Sequence, residues 1–111
     1  MAVRAPQFPI QSITETRFHA VSFVGKLDTG ETLTGTPTVA EIDTAHLTIS
    51  NKAVNSTALT INGSSVAIGQ AVQCKVVSAA MVAGTTYRIL VACTTTAGQV
   101  LNGEIRFRAT A

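Results

Sequence analysis

The sequence has no Trp, one Tyr and four Phe, and charged residues make up only 13% of its 111 positions. A typical globular chain carries about 25% charge. There are three Pro, two Cys and two His. No run of about 18 apolar residues occurs, and no apolar leader segment opens the chain. Each shortage excludes something. Eight scattered cations and few rings do not make a phosphate-tracking groove with stacking platforms, which argues against nucleic acid as a direct partner. Cys74 and Cys93 form no Cys-x-x-Cys, and His19 and His46 lie far from both, so no metal site is in prospect. No spanning segment argues against the membrane. These features predict a protein made in a cytoplasm, its thiols reduced and buried as small hydrophobes; a disulfide between sheets is the alternative.

What the sequence does hold is alternation. From Ala83 to Ala109 it reads turn, strand, Ala97-Gly98 turn, strand. Tyr87, Ile89, Val91 and Cys93 fall on one face of the first strand. Leu101, Ile105 and Phe107 share one face of the second, with Asn102, Glu104, Arg106 and Arg108 on the other. A period of two over this length predicts a half-buried antiparallel hairpin. Gly103 is expected to mark a bulge within it. Arg106 and Arg108 read as a solvated edge. Further strands are expected over 17–27, 31–40, 46–50, 57–61, 65–68 and 71–77, with Pro37 marking an edge or bend and Asn62-Gly63 a two-residue hairpin. Thr and Val suit pleated, half-buried surfaces. The pattern predicts an all-β fold, a sandwich of about seven strands over 17–111, with a small barrel as the alternative.

Residues 1–16 read differently. Pro6 and Pro9 frame Phe8, Ile10 follows, and the prolines favour extended backbone. This predicts an N-terminal arm that docks on a neighbour or on its own domain, with Phe8, Pro9 and Ile10 as partner-binding residues. The weakly charged, Thr-rich exterior fits either a secreted β-protein or a subunit that hides its surface in an assembly.

Catalytic chemistry is not in view. His19 shares a face with Arg17, Val21 and Phe23 and belongs to the core rim or the surface; His46 is expected to face solvent. Glu41 and Asp43 read as a solvated loop rather than a catalytic pair. Asn55-Ser56-Thr57 and Asn62-Gly63-Ser64 match the glycosylation pattern, by chance if no leader exists. The sequence therefore predicts no enzyme, no catalytic residues, no cofactor and no metal.

Two stretches carry a family resemblance. Lys26-Leu-Asp-Thr-Gly-Glu-Thr-Leu-Thr-Gly-Thr-Pro-Thr38 runs a Gly/Asp turn into a Thr-rich strand. Ala83-Gly-Thr-Thr-Tyr87, Thr95-Thr-Ala-Gly98 and Glu104-Ile-Arg-Phe-Arg108 follow in the same order. Together they resemble small immunoglobulin-like structural proteins of tailed bacteriophages and prophages. That family often has a Trp near the end of its first strand; Phe23 stands in that region here. The resemblance implies an immunoglobulin-like sandwich in the virion, assembled in the host cytoplasm. It gives Tyr87 the role of a corner-capping tyrosine, structural as Ile105 and Phe107 are. Ile89 occupies the place of the antibody-domain Cys, so the antibody inter-sheet disulfide is not implied. The function implied is a capsid decoration or cement protein that binds the major capsid protein or other virion proteins and self-associates. A neck, tail or head-fibre subunit is the alternative, and a carbohydrate or host-surface adhesion module a further one.

Overall fold

The computed structural model describes residues 3–4, 9–61 and 63–111. Ten strands occur in them: β1 (Val3–Arg4), β2 (Ile10–Ser12), β3 (Thr16–Ser22), β4 (Leu33–Ile42), β5 (Leu47–Val54), β6 (Leu59–Ile61), β7 (Ser64–Val66), β8 (Ala71–Ser78), β9 (Thr86–Thr95) and β10 (Val100–Thr110). The fold is all-β and sandwich-like, with a single 3-10 turn at Val24–Lys26 and no α-helix among the described residues. The two strands beyond the eight segments expected, β1 and β2, come from an N-terminal segment that pairs in two pieces.

One sheet runs in the order β1-β10-β9-β4, with β2 also on β10; the other runs β3-β8-β5. The β9–β10 ladder is continuous from Val100↔Thr94 to Arg108↔Thr86. Gly103 lies opposite Val91 in that unbroken register, so the expected bulge is absent; Gly103 is instead where β1 runs alongside in parallel. The irregularity falls on β4, between Thr34 and Thr38, around Gly35 at φ +75 and Pro37. Being an edge strand, β4 can spare the hydrogen bond that Pro37 cannot donate. Ile61 pairs with Ser64 as the expected hairpin requires, and Gly63 takes the positive φ (+79) such a turn needs; Asn62 lies outside the described residues.

The two sheets face each other through the alternate residues of their strands. Val21 points inward from β3 and Phe23 from just after it; Val72, Cys74 and Val76 point in from β8. Tyr87, Ile89, Val91 and Cys93 from β9 meet them, with Ile105 and Phe107 from β10, and all are at most 3% exposed. Both cysteines are free. Burial raises the Cys74 thiol to about 11, with Lys52 pulling weakly the other way, which keeps it protonated and inert.

The segment 10–12 is a strand of its own domain. Ile10–Ser12 runs parallel to Arg108–Thr110, extended by Arg108 N–H to Pro9 O (3.0 Å) and Ile13 N–H to Thr110 O (2.9 Å).

Candidate functional site

Most polar groups that could serve chemistry are committed to structure. Gln11 is fully buried and acts as a hub. Its Nε2 donates to Val76 O (2.9 Å) on β8 and to Glu15 O (3.0 Å) in the β2–β3 turn. Its Oε1 lies 2.8 Å from His19 Nε2. With both amide protons spent on carbonyls, Oε1 can only accept, so His19 carries its proton on Nε2. The ring stacks on Phe107 at 4.8 Å. Burial, reinforced by the Arg17 charge, lowers the His19 pKa from 6.5 to about 4.

This sets a pH dependence. A histidine depressed in the folded state takes up its proton more readily when unfolded, so stability falls as pH drops below 6.5 and goes on falling to about 4. Between pH 7 and 4.5 the loss should be roughly 2–3 kcal/mol from this residue alone. Urea unfolding at the two pH values measures it. In His19→Phe the slope over that interval should flatten, whatever the absolute stability; an unchanged slope would assign the acid sensitivity elsewhere.

His46, expected at the surface, is half-buried against Tyr87. Val82 N–H donates to Tyr87 Oη (2.9 Å), and Oη in turn lies 2.9 Å from His46 Nδ1. The phenol thus accepts from the backbone and can donate to a neutral imidazole. Tyr87 stacks on Phe107 with centroids 5.6 Å apart. His19, Phe107, Tyr87 and His46 so form one column of rings along the interior.

The acids are used as local clamps. Glu41 accepts from the Thr44 hydroxyl and from His46 N–H and Leu47 N–H (both 2.9 Å), fixing the β4–β5 turn. Burial pushes its pKa up, but these donors and the nearby His46 outweigh it and hold it low. Glu31 accepts from the Thr95 hydroxyl and from Asp28 N–H (3.0 Å), and those donors lower its pKa. Asp43 turns outward at φ +70 and meets Arg88 at 3.2 Å. Glu41 and Asp43 therefore serve different neighbours. Glu104, expected on the polar outer face, is only 5% exposed, lying under Arg88 (2.6 Å) and beside Arg106 (3.6 Å).

Asn55 is 2% exposed. Its Nδ2 donates to Thr57 O and Ala67 O, both at 2.9 Å. Its Oδ1 accepts from Gly69, Gln70 and Ala71 N–H at 3.0–3.1 Å. An amide nitrogen so engaged cannot take a glycan in the folded state.

Of the arm residues, Phe8 lies outside the described residues. Pro9 is half-buried with its carbonyl bonded to Arg108, while Ile10 is 56% exposed. Tyr87, Ile105 and Phe107 are core residues. Among the described residues no three His, Cys, Asp or Glu side chains gather as a metal site would need.

What remains as a surface feature is the outer face of the β4–β9–β10 sheet. The register sets Thr34, Thr94 and Val100 in one row, Thr38, Ala92 and Asn102 in the next, then Ala40, Leu90 and Glu104. Charge begins only at Glu104 and continues in the row of Ile42, Arg88 and Arg106. Thr38, Ala40, Ile42, Leu90, Ala92 and Asn102 line a groove of about 530 Å³ there. Leu90 (42%) and Val100 (64%) stand exposed on this face. Comparison with family models, curated proteins and solved structures finds no match to this chain.

Proposed function

We propose that this protein is a non-enzymatic structural subunit of a tailed-phage virion, a decoration or cement protein that binds the major capsid protein and stabilises the head. The observation that carries the reading is the neutral stretch of the outer sheet face around Leu90 and Ala92, a surface suited to burial against another subunit, on a domain whose buried polar side chains are bonded within the domain itself.

The finer fold assignment, an immunoglobulin-like sandwich, has support of the same kind. β2 runs parallel to the last strand, and β10, β9 and β4 face β3, β8 and β5, an order that suits such domains. Tyr87 stands at the start of β9 with its hydroxyl on the backbone of Val82, five residues upstream, as a corner tyrosine does. The sequence resemblance supplies the virion context.

Capsids assembled with the protein should withstand higher temperature and osmotic shock than capsids lacking it. Equal resistance would remove the cement role. Densitometry of purified virions separates head from neck: hundreds of copies fit a decorated shell, whereas tens or fewer would move the subunit to the neck, tail or a head fibre.

A further inference from the structure

The neutral rows have a shape that complements itself. On β9, Leu90 projects from the outer face and Ala92, the next outward residue, leaves a hollow; Ala40 beside Leu90 and Thr38 beside Ala92 extend that relief across β4. Outward residues on one strand are two positions apart, about 6.6 Å at roughly 3.3 Å per residue.

Consider a second copy laid face to face on this sheet, related by a two-fold axis between the sheets and perpendicular to β9, passing midway between Leu90 and Ala92. The rotation reverses the strand direction and keeps the strand order. Leu90 of each copy then lies over Ala92 of the other, a knob over a hollow. Arg88 falls over Thr94, and Arg106, opposite Arg88 in the ladder, falls over Val100. Glu104 falls over Asn102. No charge meets its like, and Val100 is covered by the aliphatic stem of an arginine. The other face-to-face two-fold, with its axis along β9, would set Leu90 on Leu90 and Arg88 on Arg88, so steric fit and repulsion both disfavour it.

We propose that the outer face of the β4–β9–β10 sheet is a self-association surface, on which two copies pair isologously with Leu90 of each seated at Ala92 of the other. The occupant is a second copy because a charged partner surface would lose its hydration over these neutral rows without compensation. The same face of another copy sets neutral surface over neutral at Leu90 and Ala92, and the charges it brings over Thr94, Val100 and Asn102 arrive already paired within their own chain, Arg88 with Glu104 and Asp43 and Arg106 with Glu104. This deepens the self-association included in the proposed role, yet it is measured on the free protein, so it can fail while capsid binding stands, and the reverse.

Sedimentation equilibrium of the full chain over a range of concentrations tests it. The wild type should be dimeric. Leu90→Asp and, separately, Ala92→Arg should each raise the dimer dissociation constant at least about tenfold while thermal unfolding shows the domain still folded. Phe18→Asp, on the outer face of the other sheet and 61% exposed, should leave the dimer intact. If Leu90→Asp fails to fold, Ala92→Arg carries the test. A monomeric wild type at the highest concentration, or a dimer indifferent to both changes, would overturn the proposal.

Discussion

Replacing Asn55 by alanine should lower stability by roughly 3–5 kcal/mol, seen as a fall in melting temperature on the order of 15 °C. The side chain makes five hydrogen bonds, all to backbone, across the gap where the β6–β7 hairpin leaves and rejoins the sheet. Alanine would leave buried donors and acceptors facing an empty space. Replacing Asn55 by Asp keeps an acceptor for the three N–H groups but sets a second oxygen against the Thr57 and Ala67 carbonyls. That variant should be destabilised too, and less so at low pH, where the carboxyl can donate. An Asn55→Ala protein that melts within a few degrees of the wild type would mean that water replaces the amide at little cost.

Phe107→Ala should cost a similar amount, about 3–5 kcal/mol. Phe107 is fully buried between the His19 and Tyr87 rings, so truncation opens a cavity and removes two ring contacts at once. The neighbours cannot close over the gap easily. His19 is tied to Gln11 and Tyr87 to Val82, and moving either breaks a buried hydrogen bond. Phe107→Leu, which keeps most of the volume, should cost less than half as much. Denaturant titration gives both numbers, and equal losses in the two would show that the cavity contributes little.

The terminal hairpin was legible because its signal is local: alternation over two strands and a Gly98 turn. The β4 edge was legible through Pro37, and the β6–β7 hairpin through Asn62-Gly63. The sites of greatest consequence were not. Gln11 and Asn55 are polar residues with no local sign of burial, and only tertiary pairing places them in the interior. Asn55 even matches a surface motif. Glu104 alternates correctly for an outward residue, and it does point outward, but Arg88 from the next strand lies over it. Gly103 looked like a bulge because a strand glycine often is one; the close parallel approach of β1 comes from the far end of the sequence and leaves no local mark. Acceptance of that approach also explains the arm. Deleting residues 1–16 removes both β1 and β2 and the acceptor of His19 Nε2–H, so this segment belongs to the fold.

The parallel pairing of β1 and β2 with β10 joins nearly the first described residues to nearly the last. Contacts of such sequence separation are the slowest to form, since almost the whole chain must be looped before they give any return. On the ribosome, the segment that begins the chain has no partner until β10 has emerged. A newly made subunit therefore spends time with an unpaired strand, Ile10 exposed and β10 not yet present. Where many copies are made at once, that interval is when β2 of one copy could meet β10 of another, so pairing within one chain has to outpace such mispairing.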